Sequence, residues 1–239
     1  MNELVKTIVI IPTYNEIENV DALSRAVMSL NSNFDVLFID DNSPDGTAEK
    51  VKSLMDEFSG RIFLEQRTGK LGLGTAYIHG FKWAIKNNYD YCIEMDCDFS
   101  HDPSDLPRLL NACLDGADLT IGSRYCKGGK IKNWPLDRIL MSYFASIYVR
   151  LILCIGIKDT TAGFKCYHTK VLKKINLDNV TFKGYAFQIC MKYATLKHGF
   201  KVKEIPITFI DRVYGESKMS TGIFKEAFFG VWKMRKMNL

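Results

Sequence analysis

The chain has 239 residues, of which 47% are apolar and 25% charged, with a net charge of +5. That length buries one sizeable core and suits one domain with elaborations, or a domain plus a small appendage. Lys and Arg are scattered until the C-terminal end, which argues against a nucleic-acid surface and leaves an anionic substrate or an acidic membrane surface open.

The seven cysteines, Cys92, Cys97, Cys113, Cys126, Cys154, Cys166 and Cys190, form no CxxC pair. No apolar signal-peptide core stands near the N-terminus, so reduced thiols in the cytoplasm are expected. The longest oily stretch, Tyr143 to Ile157, falls short of the ~20 residues a bilayer span needs and carries Arg150. No membrane crossing is expected.

Thr7 to Ile11 is a continuous β-branched run, the pattern of a strand covered on both faces. Pro12-Thr13-Tyr14-Asn15-Glu16 ends it, and helical spacing follows through Val20, Leu23, Val27 and Leu30. Val36 to Ile39 repeats the strand, Asp40 to Gly46 the turn, and Thr47 to Phe58 the helix. Two successive βα units imply right-handed parallel crossovers. Ile62 to Leu64 is a third strand, followed by Gly69-Lys70-Leu71-Gly72-Leu73-Gly74 and a helix over about 75–86. The glycines lack both the dinucleotide spacing and a following GK[ST], so a close-packed turn is expected, and a Rossmann dehydrogenase is disfavoured.

The fourth strand, from Tyr91, runs into Asp96-Cys97-Asp98. Residues i and i+2 of an extended segment project to one side, so both carboxylates can converge on one point. Two hard oxygen donors suit Mg²⁺ or Mn²⁺, with a diphosphate in the remaining positions; alternatively, they solvate a strand end and cap the helix announced by Asp102-Pro103. Asp118 to Ile121 is a fifth strand closed by Gly122-Ser123-Arg124-Tyr125. Ligands gather outside the carboxyl ends of parallel strands, which places Pro12 to Glu16, Asp40, Asp41, Asp96, Asp98 and Arg124 around one crevice.

After Tyr125 the alternation breaks down. Cys126 to Pro135 is rich in Lys and Gly and is expected to be mobile, and a helix over about 137–155 sets Arg138 and Ser142 one turn apart. A turn into a short strand is expected over Thr160 to Tyr167, then helices near 170–175 and 186–198, closed by Gly199. Val202 to Phe209 is expected as a strand, at an edge because it holds Pro206. The final helix aligns Phe224, Phe228, Val231 and Trp232 on one face, with Lys225, Lys233, Arg235 and Lys236 elsewhere. Both a helix lying in a membrane interface and one packed on the sheet have that periodicity.

The ordered set VIIPTYNE, IDDNSPDGT, EMDCDFSHDP, IGSRY, TAGFKCY, GYAFQI and DRVYGESKM, from Val9 to Met219, resembles the family-2 glycosyltransferases, and within them the polyprenyl- or dolichol-phosphate mannose synthases. The resemblance implies a GT-A fold, an α/β architecture with a mostly parallel, Rossmann-like sheet flanked by helices. It implies GDP-mannose as donor, a polyprenyl monophosphate lipid as acceptor, and Mg²⁺ or Mn²⁺. By the same resemblance, Pro12, Tyr14, Glu16, Ile39 and Asp41 serve the nucleotide, and Asp96 and Asp98 the metal and diphosphate, with the Cys97 backbone beside them. Arg124, Arg212 and Lys218 lie near the sugar and phosphates, and Arg138 and Ser142 on the helix that meets the acceptor phosphate. The residues expected to carry the chemistry are Asp96, Asp98, Arg124 and Arg138.

Three departures stand out. Cys97 replaces the usual alanine, Ser100 stands where some relatives place Gln and is only a weak third metal ligand, and the protein is expected to be of the class without the transmembrane helices that many bacterial members append. The expected organisation is a catalytic domain over 1–215, with a nucleotide half over 1–125 and an acceptor half over 126–215, and a C-terminal amphipathic helix over 216–239. The protein is expected at the cytoplasmic face of a membrane, peripherally bound. His101 is expected to support the loop, and Glu94 to stay hydrogen-bonded within the sheet. No Ser-His-Asp or Cys-His nucleophile set is evident, which suits direct displacement with inversion. Competing readings are transfer from UDP-glucose or another nucleotide sugar, extension of a glycan, and a silent nucleotide-sugar-binding subunit.

Overall fold

The computed structural model describes residues 5–211 and 221–239. Its centre is β1 (Thr7–Thr13), and the burial of this strand explains its composition. Ile8 and Ile10 point into one apolar layer with Tyr77, Phe81 and Phe187, while Val9 and Ile11 point into the opposite layer with Val20, Leu23, Val51 and Leu106. A strand covered on both faces cannot alternate with polar residues, hence the unbroken apolar run.

Parallel neighbours flank β1: β2 (Phe34–Asp40), with Thr13 opposite Asp40, and β4 (Tyr91–Glu94), with Ile10 opposite Glu94. Outside β2 lies β3 (Ile62–Gln66), also parallel. Helices α1 (Ile17–Met28) and α2 (Thr47–Glu57) cover one face through Val20, Leu23, Val27, Val51 and Leu54. The other face is covered by α3 (Leu73–Lys86). At Gly80 a Cβ would come 2.5 Å from Ile10 Cγ2, so the glycine lets α3 sit directly on β1. Gly74 likewise abuts the Phe182 carbonyl and the Phe187 ring. Within the glycine cluster Gly72 abuts Lys183 as well, giving the close-packed turn expected, whereas a Cβ at Gly69 would meet nothing within 4 Å.

The second half departs from simple alternation. The strand order is β3-β2-β1-β4-β7-β5-β8. After α4 (Leu106–Leu114) the chain enters β5 (Leu119–Ser123), which does not pair with β4. Between them runs β7 (Lys165–His168), antiparallel to both, with Lys165 opposite Glu94 on one side and Ile121 on the other. Cys126 to Pro135, expected to be mobile, instead contains β6 (Lys130–Lys132). The expected strand from Val202 to Phe209 divides at Pro206–Ile207. Its first part, β8 (Val202–Pro206), is the sheet edge beside β5, and its second, β9 (Thr208–Ile210), pairs with β6 in a two-stranded sheet. A proline cannot donate to a ladder, so the break falls there.

Helix α5 (Leu136–Leu153) lies between β6 and β7 in the chain and packs against α8 (Thr221–Met234); α6 (Thr169–Lys174) and α7 (Tyr185–Lys197) follow β7. Val231 and Met234 of α8 are buried, so this helix packs on the core, yet Phe228, Phe229 and Trp232 stay exposed. Among the described residues no helix is long and apolar enough to cross a membrane.

Candidate active site

The carboxyl ends of β1, β2, β4 and β5 lie at one edge of the sheet. The first two loops there are stitched together. The backbone N–H groups of Asn15, Glu16 and Ile17 donate to Ser43 Oγ (3.0 Å), Thr47 Oγ1 (3.0 Å) and Asp45 Oδ2 (3.1 Å). Asn15 and Asn42 hold left-handed backbone with φ of 54° and 59°, a conformation asparagine tolerates better than most residues. Pro12, Tyr14 and Glu16 are partly accessible in this frame, and Lys70 Nζ lies 4.8 Å from the Tyr14 ring centroid. Ile39 is fully buried in the core, which removes its side chain from a nucleotide site and leaves only its backbone.

Asp41 is buried, and its carboxylate accepts from Arg67 Nε at 2.5 Å and from the Leu71 N–H at 3.3 Å. Burial raises its pKa, with the guanidinium acting against that rise. Arg67 also donates to Thr75 Oγ1 (2.8 Å), which locks the end of β3 onto α3. The sequence reading missed Arg67, although it follows a strand end at the same edge.

Strand β4 ends at Glu94, two residues earlier than the aspartate pair suggested, so Asp96 and Asp98 sit in the turn beyond it. Tyr77 Oη donates to Asp96 Oδ1 at 3.3 Å; burial first, and then the Asp96 charge, push the phenol well above its usual pKa and keep it a donor. Asp98 Oδ1 accepts from the Ser100 N–H at 3.1 Å. Cys97 is buried within the core. His101 Nδ1 accepts from the Asp96 N–H at 3.2 Å, and its ring stacks on Phe164 at 4.8 Å. Burial lowers its pKa, so the imidazole is neutral and braces the loop as expected.

No cluster of three or more His, Cys, Asp or Glu forms a closed cage among the described residues. The Asp96 carboxylate is about a third exposed, and Ser100 Oγ is buried with no hydrogen-bond partner among the described residues. Two hard carboxylates with an orphaned hydroxyl nearby fit Mg²⁺ or Mn²⁺, which retains several non-protein oxygens.

Beneath this turn lies a polar layer that the sequence reading passed over. Glu94 Oε1 and Lys165 Nζ, both fully buried, stand 3.0 Å apart, and Lys165 also donates to Gln188. Glu94 thus keeps a buried partner inside the sheet, and that partner is a charged one on the neighbouring strand. Burial pushes the Glu94 pKa up and the Lys165 pKa down. Lys192 of α7, also fully buried, donates to the carbonyls of Thr160 (2.9 Å) and Ala162 (2.7 Å). Those carbonyls flank Thr161. The motif strings TAGFKCY and GYAFQI carried the available signal, since a Lys and a Gln inside otherwise apolar strings need buried partners.

Arg124 is buried rather than open to solvent. Its Nε and Nη2 donate to Asp159 at 2.7 and 2.6 Å, and Nη2 also donates to Thr161 Oγ1 at 2.9 Å. Burial would raise the Asp159 carboxyl, but the Arg124 charge and hydrogen bonds outweigh it and hold the pKa below the usual range. Arg138 Nη1 donates to both Asp211 oxygens at 3.2 Å, and its guanidinium lies 4.0 Å from the Trp134 ring centroid. A cavity of about 510 Å³ opens beside them, lined by Arg124, Arg138 and Ser142 as well as by Phe144, Phe228 and Phe229. Arg138 and Ser142 thus meet on one wall, with two guanidiniums lining an otherwise apolar chamber. Arg212 and Lys218 lie outside the described residues.

Comparison with known proteins bears on the family and the fold. A family model described as glycosyl transferase family 2 matches residues 8–176. A polyprenol monophosphomannose synthase from Mycolicibacterium smegmatis is 45% identical over 96% of the chain and 88% of its own length. An undecaprenyl-phosphate mannosyltransferase from Micrococcus luteus is 44% identical over 95% of the chain and 92% of its own. Among solved structures, glucosyl-3-phosphoglycerate synthase from Mycobacterium tuberculosis superposes with a TM-score of 0.67 at 14% identity, covering 97% of this chain and 78% of that one. At that identity the likeness speaks for the fold alone.

Proposed function

The chain belongs to glycosyl transferase family 2 and is a glycosyltransferase of GT-A fold, and from that premise we propose that it moves mannose from GDP-mannose to a polyprenyl monophosphate at a membrane surface. The observation that carries this reading is a mostly apolar cavity lined by two guanidiniums; Thr161 lines it, and two residues on, a Cβ at Gly163 would lie 3.8 Å from Asp96 Oδ2 of the aspartate turn. A phosphate headgroup beside Arg124 and Arg138 and an isoprenoid against Phe144, Phe228 and Phe229 match that lining. The names of the two mannosyltransferase relatives support the sugar and the lipid class.

In this reading Pro12, Tyr14, Glu16 and Asp41 bind the nucleotide, with Ile39 and Cys97 contributing backbone only. Asp96 and Asp98, with Ser100 the weaker candidate, would hold Mg²⁺ or Mn²⁺, which supplies Lewis acidity to the leaving diphosphate; crystals of the glucosyl-3-phosphoglycerate synthase contain Mn²⁺ or Mg²⁺. The acceptor needs no general base, because a phosphate monoester has a second pKa of about 6 and is largely dianionic near pH 7. One of its oxygens bonds to the sugar's anomeric carbon as the bond from that carbon to the diphosphate oxygen breaks, and the nucleoside diphosphate leaves with the electron pair. Arg138 and Ser142 orient the acceptor phosphate, and Arg124, fixed by Asp159, supplies a positioned positive charge. Arg212 and Lys218 are assigned to the donor phosphates on the sequence motif alone.

The test is a donor panel with a short polyprenyl phosphate, read by product mass and anomeric configuration. Transfer of hexose from GDP-mannose with inversion is expected; preferential turnover of UDP-glucose, or retention at the anomeric carbon, would overturn the reading.

A further inference from the structure

The segment from Thr161 to Gly163 joins the two halves of the site. Thr161 lines the cavity that Arg124 and Arg138 also line, and Gly163 faces the aspartate turn. A Cβ at Gly163 would lie 3.8 Å from Asp96 Oδ2, 3.7 Å from Gln188 Nε2 and 3.6 Å from His101 Cε1. Those are ordinary contact distances, so the glycine leaves a small space among three polar side chains, and Gly163 is itself partly accessible. Asp96 already belongs to the proposed diphosphate site, and His101 braces the turn through the Asp96 N–H. Gln188 has neither task.

The amide of Gln188 is held in one orientation. The side chain is 3% exposed, and its neighbours on α7, Tyr185 and Ile189, line the cavity. Gln188 Oε1 accepts from Lys165 Nζ, and Lys165 stands 3.0 Å from Glu94 Oε1. An ammonium has only hydrogens to offer, so the amide must turn its oxygen towards Lys165 and its NH₂ away. The NH₂ is the end that meets Gly163. It carries two hydrogens, so even with the neighbouring Glu94 drawing one, a second remains to donate. Glu94 and Lys165 are both fully buried, which is costly even for a paired set of charges. What that pair fixes is an amide donor beside the crevice.

We infer that Gln188 recognises a hydroxyl group of the transferred sugar, and that Gly163 leaves the room for it. The inference rests on the glycosyl-transfer reading of the site and names the residue that selects the sugar. In that reading the leaving diphosphate lies at Asp96 and the acceptor phosphate at Arg124 and Arg138. The sugar that passes between them therefore lies against the segment that runs from Thr161 to Gly163. A buried donor deprived of its partner is unfavourable. For that reason a site built to hydrogen-bond a substrate hydroxyl rejects the analogue lacking it by up to about 10⁴–10⁵-fold, far more than an apolar contact achieves.

The test is a cycle of enzyme variant against substrate variant. Wild type and Gln188→Leu are compared on GDP-mannose and on the series of its monodeoxy analogues, with kcat/KM read from product mass and GDP affinity from calorimetry. In the wild type one analogue should be used at least about 10²-fold less well than the parent sugar. In Gln188→Leu that penalty should shrink to about three-fold or less, because the donor that made the hydroxyl matter is gone. The parent sugar should lose about 10²-fold while the GDP dissociation constant holds. A merely structural role would lower all the sugars together, so a penalty that survives at every position would overturn the assignment. A wild type indifferent to every deoxy position would do the same. Should Gln188→Leu fail to fold, Gly163→Ala takes its place: Gly163 has no left-handed backbone, and the added methyl meets its neighbours at contact distance while filling the hydroxyl's seat. Its kcat/KM for the parent sugar should fall about ten-fold or more, with melting temperature and GDP affinity unchanged; an unchanged rate would overturn the inference. Preferential use of another nucleotide hexose would overturn the mannose reading alone, and the same cycle run on the monodeoxy series of that hexose then decides the place of Gln188.

Discussion

The proposed donor wall and the proposed acceptor wall of the crevice are built by different rules. On the proposed donor wall, carboxylates at the end of β2 and in the turns after β2 and β4 accept from backbone N–H groups and hydroxyls close by in the chain, Asp98 from Ser100, Asp40 from Ser43 and Asp45 from Thr47, and longer-range donors, Arg67 to Asp41 and Tyr77 to Asp96, add to these local bonds. On the proposed acceptor wall, cations are held by partners far along the chain: Arg124 by Asp159, Arg138 by Asp211, and Lys192 by the Thr160 and Ala162 carbonyls. Local turns can be specified by short motifs. Buried cations need a counter-charge supplied by another element, because the desolvation cost is otherwise several kcal/mol per ion. Damage on the donor wall should therefore stop chemistry without altering acceptor binding, and damage on the acceptor wall the reverse.

The largest expected break in that division comes from Asp96→Asn or Asp98→Asn. Each keeps the shape of the turn and removes a hard anionic donor. Turnover should fall by about 10²–10³, the usual loss when one electrostatic stabiliser of a leaving group is removed, while binding of the lipid phosphate measured separately stays near wild type. A variant retaining more than a tenth of the wild-type rate would return the pair to the simpler role of capping and solvating a turn.

A smaller and opposite effect is expected at Arg138→Glu. A hydrogen bond to a charged group is worth about 1.5–3 kcal/mol, so the acceptor KM should rise by about ten- to hundred-fold or beyond once the sign of the charge is reversed. The dissociation constant for GDP, measured by calorimetry, should remain unchanged. Loss of GDP binding would show that the two walls are not separable.

The same contrast explains what was legible in the sequence. The run Thr7–Ile11, the PTYNE and DDNSPDGT turns and the parallel βα units follow from local patterning, and the structure places them as expected. The insertion of β7 between β4 and β5 was not legible, because Lys165 makes its strand look unlike a central one until Glu94 appears directly opposite. Arg124 could be placed at a strand end, but its burial depended on Asp159, 35 residues on. Ile39 was assigned by motif position, and the sheet turned its side chain into the core. The two apolar faces of α5 read as one oily helix; only the packing of Ser146, Val149 and Leu153 reveals which face is left uncovered.

The smallest and most diagnostic effect concerns Lys192, the buried amine that holds the carbonyls on either side of Thr161 and so supports the seat of Arg124. Replacing it with Met removes a costly buried charge and leaves two carbonyls without that donor. These changes oppose each other, since exchanging a buried ion for an apolar residue is often neutral or stabilising whereas an unsatisfied buried acceptor costs about 1–3 kcal/mol. The net change at pH 7 should thus be small, and the pH dependence separates the two contributions. Burial drives the Lys192 pKa well below its ordinary value of 10.5 in the folded protein. Between the folded pKa and 10.5 the unfolded chain binds more protons, so wild-type stability rises with pH. The Met variant lacks this gain. Denaturant unfolding at pH 7 and pH 9 should show the wild type gaining on Lys192→Met by up to about 1.4 kcal/mol per pH unit within that window. A flat difference would mean that the amine keeps its proton throughout, with Asp159 and the two carbonyls stabilising the charge. Acceptor KM should rise in the variant while donor affinity holds, because the loop that Lys192 braces belongs to the acceptor wall.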